Sequence, residues 1–141
     1  MANIVVFDGE CGLCNGFVAW LIRHDKSATF LLAGSAGEVG KLVITRAGLP
    51  DDIGDSTIVL WDGTQAFTEF DAVLQIMASL THPWRWLAAG KVVPQRWRHR
   101  AYRTIAARRP RIEADDPSCG VPPPELVTRW RARLATLADV A

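Results

Sequence analysis

The stretch that most narrows the choice of fold lies at the start of the chain. A β-branched run, Asn3-Ile4-Val5-Val6-Phe7, stops at Asp8-Gly9, and apolar residues then recur at helical spacing as Leu13, Phe17, Trp20 and Leu21. β-Branched residues favour extended backbone and Asp-Gly favours a turn, so the pattern predicts a strand over Asn3 to Phe7 and a helix from about Cys11 to His24. Asn15, Arg23 and Asp25 fall off its apolar face. Thr29 to Leu32 reads as a second strand, and a strand, helix and strand this closely spaced form a crossover with parallel strands and the helix on one sheet face.

Further along, Val39, Leu42, Val43 and Ala47 predict a helix over Glu38 to Ala47 that ends at Gly48 and Pro50. Thr57 to Trp61 and Gln65 to Thr68 flank Asp62-Gly63-Thr64, a sequence suited to a tight antiparallel hairpin. Asp71 to Leu80 then carries Val73, Leu74, Met77 and Leu80 on one side, which predicts a helix packed back on the sheet. The last third is rich in Trp and Arg. Trp97, Ala101 and Ile105 form one helical stripe among Arg96, Arg98, Arg100 and Arg103, and a final helix is expected to carry Leu126, Trp130, Leu134 and Leu137, with Pro123 and Pro124 in its first turn. The expected architecture is α/β: a β-α-β-α-β-β-α core over residues 1–82, and a helical C-terminal extension, 83–141, packed on the same domain.

A chain of 141 residues, 49% apolar and 22% charged, can bury one continuous core without staples. No run reaches the roughly 18 apolar residues of a membrane span, and the N-terminus shows no basic region before its short apolar run, so a cytoplasmic protein is expected. Three cysteines are too few for a secreted disulfide framework, and in a reducing compartment a close pair points to catalysis or metal binding. Charge is unevenly placed: residues 1–75 carry a net −6 and residues 76–141 a net +7.

Cys11 and Cys14 stand three residues apart at the predicted start of the first helix. Residues so spaced on a helix have α-carbons about 5 Å apart, within the range a disulfide tolerates. A helix start also offers unpaired N–H groups and partial positive charge, which stabilise a thiolate. Cys11, nearer the end and expected to be the more exposed, is the candidate nucleophile, and Cys14 the resolving thiol. Asp8 either ends the strand and caps the helix or carries a proton to and from Cys14. A C-x-x-C at a strand-to-helix junction inside a β-α-β unit points to a thioredoxin-like arrangement.

The run Phe7-Asp8-Gly9-Glu10-Cys11-Gly12-Leu13-Cys14-Asn15, followed by Arg23-His24-Asp25, resembles the DCC family of predicted thiol-disulfide oxidoreductases, a domain of unknown function named for its Asp, Cys and Cys. Asp8, Cys11 and Cys14 occupy those positions. Asp55 to Val59, Asp71 to Leu74, and Tyr102 to Ala106 with Arg108 and Arg109 are similar to its later blocks, so the likeness spans roughly residues 3 to 120. The resemblance implies a thioredoxin-like fold, disulfide exchange through Cys11 and Cys14 with Asp8 at the catalytic site, and no organic cofactor. Its expected partner is a protein or small-molecule thiol or disulfide. Cys119 also matches a cysteine of many members, against the alternative that it is a buried or incidental thiol. Two departures stand out: Phe70 replaces a small hydroxyl residue before Asp71, and Ser56-Thr57 stands where ordinary thioredoxins have a cis-proline facing the dithiol.

Two other functions compete. Pro83-Trp84-Arg85-Trp86 and Trp97 with its arginines fit a basic aromatic surface for nucleic acid or lipid, although Trp at helical spacing more often packs on a core. A zinc-stabilised fold needs Cys119 with His24, His82 or His99 to complete four ligands, and no histidine has a second ligand at i+3 or i+4. The expectation is therefore no metal, and nucleic acid is not the expected partner.

Overall fold

The computed structural model describes residues 3–25, 29–53, 57–80, 93–106 and 119–140, with the side chains of Phe70, Ile105 and Ala106 outside that description. His82, the Pro83 to Trp86 cluster, Ser56, Arg108, Arg109 and Pro117 also lie outside it.

Strand β1 (Asn3–Phe7) leads to helix α1 (Gly12–His24), strand β2 (Phe30–Gly34) and helix α2 (Glu38–Arg46). Strands β3 (Val59–Trp61) and β4 (Ala66–Thr68) form the hairpin, and α3 (Glu69–Ala78) follows. The extension holds α4 (Gln95–Ala106), a 3-10 turn (Pro124–Leu126), α5 (Val127–Ala132) and α6 (Leu137–Val140). One four-stranded sheet has the order β2-β1-β3-β4, with β1 parallel to β2 and antiparallel to β3, and β3 antiparallel to β4. This is a thioredoxin-like α/β architecture.

The two-residue period of a strand explains why β1 is apolar throughout. Val5 and Phe7 face one side, with Phe30, Leu32 and Leu60 beside them and α1, α3 and α5 above. Ile4 and Val6 face the other, with Ala33, Val59 and Trp61, under α2 and α6. A central strand covered on both faces has no polar side to show. On the second face α2 comes so close to β2 that a Cβ at Gly40 would sit 2.2 Å from the Gly34 carbonyl oxygen, a fit open only to glycine.

Asp62 closes the hairpin. Its carboxylate accepts from the Thr64 and Gln65 amides at 2.8 Å each, while its own N–H donates to the Gln65 carbonyl. Those amide bonds, Gln65's first, hold its pKa below the ordinary aspartate range.

The extension departs from expectation in two ways. The single final helix is broken after Ala132: the Leu32 amide donates to the Arg133 carbonyl at 2.7 Å, and Ala135 donates back to Leu32 at 2.8 Å, so this stretch runs parallel along the outer side of β2. An edge strand presents unpaired backbone groups, and pairing with them offsets the helical bonds given up. Trp97, expected on the core, is 54% exposed, because α4 turns Arg98, His99 and Tyr102 inward instead.

The charge imbalance is partly met within the molecule. Arg98 pairs with Asp71 and His99 with Glu69, while Arg23 and Glu125 pair in the opposite sense. The most buried pair joins Arg133 to Asp25 at 3.0 Å, and the Asp25 carboxylate also accepts from the Thr29 and Phe30 amides. Asp25 thus fixes the end of α1, the start of β2 and the C-terminal stretch together, although the helical pattern assigns it to a polar face.

Candidate functional site

The dithiol sits where β1 ends. Asp8 Oδ1 accepts from the Glu10 amide at 3.0 Å and the Asp8 carbonyl accepts from the Cys11 amide at 3.1 Å, folding residues 8–11 into a tight turn. Cys11, not Asp8, is the N-cap of α1: its backbone is extended, and its Sγ accepts from the Cys14 amide at 3.4 Å. Sulfur thereby takes the place that a serine or aspartate oxygen fills at most helix starts. Asp8 ends the strand as expected, but shapes the preceding turn rather than capping the helix.

Cys11, Cys14 and Cys119 are all present as thiols. Cys11 is 0% exposed and Cys14 4%, which corrects the expectation that Cys11 is the more accessible. The reason lies far along the chain. Both sulfurs belong to the apolar cluster that Leu126 and Trp130 complete, and Trp130 meets the Phe7 ring edge-on at 6.0 Å. Helix-end position predicts exposure only where no other segment packs over it.

Asn15, which the helical pattern assigns to the surface, is buried and organises the turn. Its Nδ2 donates to the carbonyls of Gly9 at 2.8 Å and Cys11 at 2.9 Å, and its Oδ1 accepts from the Val121 amide at 2.7 Å. One side chain thus ties two residues of the turn before α1 to a segment more than a hundred positions away. The sequence signal for this role is its place directly after Cys14, one helical turn from Cys11 and so near the axis of the site. Gly120 makes the contact possible: its φ is +74°, and a Cβ there would stand 2.6 Å from Asn15 Oδ1 and 2.7 Å from the Phe7 ring.

Cys119 is half-buried, and its carbonyl accepts from the Trp130 indole at 2.7 Å. It borders a cavity of about 280 Å³ between the C-terminal end of β2 and the start of α2, lined also by Gly34, Glu38, Gly40 and Leu134. Parallel register sets Gly34 beside Phe7, so this cavity and the dithiol lie at the same end of the sheet. Among the described residues no group of three or more His, Cys, Asp or Glu is placed to hold a metal. His24 stacks on Trp20, and His99 pairs with Glu69, so neither stands with the cysteines. Among the described residues no helix is long and apolar enough to cross a membrane.

The chain is 31% identical over 128 residues to the uncharacterized protein YuxK of Bacillus subtilis, covering 91% of this chain and 93% of that one. It is 37% identical over 86 residues to a DCC family protein of Arabidopsis thaliana described as chloroplastic, covering 60% of this chain and 49% of the plant protein. No solved structure matches. The DCC1-like thiol-disulfide oxidoreductase family matches residues 5–115, from the first strand through the dithiol and beyond α4, and the chain belongs to that family.

Proposed function

We propose that the protein is a dithiol-disulfide oxidoreductase in which Cys11 attacks and Cys14 resolves. The observation that carries this reading is the Cys14 amide donating to Cys11 Sγ at the first turn of α1. The bond holds Cys11 Sγ at the helix start beside Cys14, where residues three apart have α-carbons about 5 Å apart, within the range a disulfide tolerates. The Cys11 thiolate attacks one sulfur of a substrate disulfide, forming a mixed disulfide and releasing the other sulfur as a thiolate. Cys14, deprotonated, then attacks the Cys11 sulfur, so the Cys11–Cys14 disulfide forms and the second substrate thiol leaves. Two electrons and two protons pass to the substrate, and an external thiol reductant returns them. Asp8, buried in the turn before the dithiol, is the proposed proton carrier for Cys14.

Because both cysteines are buried in the cluster that also holds Leu126 and Trp130, exchange requires local opening of that packing. A reducing setting such as the cytoplasm suits this cycle, since it keeps the resting pair as thiols.

The test is turnover of a small neutral disulfide by single variants. Cys11→Ser should abolish it, Cys14→Ser should accumulate a mixed disulfide on Cys11 visible by mass analysis, and Asp8→Asn should slow resolution more than attack. Unimpaired turnover in both cysteine variants refutes the mechanism.

A further inference from the structure

The register places more than the dithiol at one end of the sheet. β1 ends at Phe7, and because Val6 faces Val59 across an antiparallel pair, Thr57 and Ile58 lie beside that end. The β3–β4 pairing of Val59 with Thr68 brings Glu69 and the start of α3 there too. Helix α4 is fastened to this end by its inner face. The Tyr102 hydroxyl accepts from the Ile58 amide at 3.1 Å, His99 pairs with Glu69, and Arg98 pairs with Asp71. Glu69 is itself held at φ +55°, unusual for a side chain of this kind, with its amide donating to Thr57 Oγ1.

With those groups turned inward, α4 presents a cationic and aromatic outer face. Arg96, Arg100 and Arg103 follow one another at i, i+4 and i+7, all exposed, and among the described residues none meets a carboxylate. Trp97 lies on the adjoining stripe with the Arg96 guanidinium 6.0 Å from its ring centroid, and Val93, 42% exposed, adds apolar surface at the helix start. No acidic residue occurs within α4 itself. A large indole left in water beside three such cations is the composition of a binding surface, and its charge selects an anionic occupant.

We infer that this outer face of α4 docks the disulfide-bearing substrate, and that the substrate is an acidic polypeptide. The inference rests on the dithiol reading above and adds the class of partner. A polypeptide is favoured because the surface and the dithiol occupy the same end of the sheet, so one extended partner reaches both. Carboxylates would meet Arg96, Arg100 and Arg103, an apolar side chain would cover Trp97, and the disulfide would be carried toward Cys11. Complementary charge of this kind raises the association rate and depends on ionic strength.

The test compares the wild type with Arg96→Gln/Arg100→Gln/Arg103→Gln and with Trp97→Ala, all exposed positions, with unchanged urea midpoints as the check on folding. Substrates are an acidic and a basic disulfide-containing peptide of equal length, and hydroxyethyl disulfide as a small neutral one. The wild type should turn over the acidic peptide at least tenfold more efficiently at low salt. The triple variant should lose about tenfold in kcat/KM on that peptide, chiefly through KM, with a flattened salt dependence, while its rate on hydroxyethyl disulfide stays the same. Equal kcat/KM of wild type and triple variant on the acidic peptide overturns the inference. So does binding of phosphatidylserine vesicles or single-stranded RNA that the triple variant loses while acidic-peptide turnover is untouched. Absence of wild-type exchange with hydroxyethyl disulfide is a failure of the dithiol reading instead, and docking is then judged by anisotropy of the acidic peptide with serines in place of its cysteines, where equal affinity for wild type and variant overturns it.

Discussion

Replacing Gly120 by alanine tests whether the C-terminal segment is locked onto the dithiol turn. Its φ of +74° costs an L-residue about 1–2 kcal/mol. The new Cβ would also stand 2.6 Å from Asn15 Oδ1 and 2.7 Å from the Phe7 ring, both buried and with little freedom to retreat, an overpacking that adds about 1–3 kcal/mol. Gly48 provides the control: its φ is +72°, but nothing lies within 4 Å of where a methyl group would stand, so Gly48→Ala carries the backbone term alone. Alanine also lowers the entropy of the unfolded chain, by a similar amount at both sites, and that contribution cancels in the comparison. At an m-value of about 1.5 kcal/mol/M, the two urea midpoints should differ by about 0.7–2 M, with Gly120→Ala the less stable. Because the displaced atom belongs to Asn15, which binds the Cys11 carbonyl, Gly120→Ala should also speed alkylation of Cys11 by iodoacetamide, and Gly48→Ala should not. Equal midpoints together with equal alkylation rates would refute the packing argument.

Trp130 and Trp97 should separate sharply under thermal or urea denaturation: Trp130→Ala, fully buried and bonded to Cys119, loses about 3–5 kcal/mol, whereas exposed Trp97→Ala stays within about 0.5 kcal/mol. Arg133→Met leaves the buried Asp25 carboxylate without its cation and should cost about 3 kcal/mol or more, and a double-mutant cycle with Asp25→Asn should show the pair losing less than the sum of the singles. Asp62 gives a pH dependence. Its folded pKa lies below its unfolded value, so its stabilisation is complete above the ordinary aspartate range and is lost as pH falls through the folded pKa. The stability gap between wild type and Asp62→Ala should therefore be constant near neutrality and shrink in acid; a gap that widens in acid contradicts the assignment.

Local periodicity carried most of the core. The β1 run was legible because it is β-branched and ends at a turn pair, and α1, α2, α3 and the hairpin fell within a few residues of their expected bounds for the same kind of reason. The C-x-x-C spacing located the dithiol without any structure. Less legible were polar residues with buried roles. Asn15 and Asp25 sit on the polar side of a helix pattern, and only contacts with Val121 and Arg133, each more than a hundred positions away, show that those sides are covered. Leu134 misled in the other direction, since its helical spacing from Trp130 continued a pattern that the backbone abandons at Arg133.

The amino-acid sequence alone determined which segments are strands and helices, and that two thiols share the first turn of α1, because both follow from interactions within a few residues. Only the tertiary structure decided that those thiols are buried, that the C-terminal stretch pairs along β2, and that α4 turns Trp97 outward. Each of these depends on which distant segment occupies a surface, and side-chain order along a chain sets the faces of an element without specifying what lies against them.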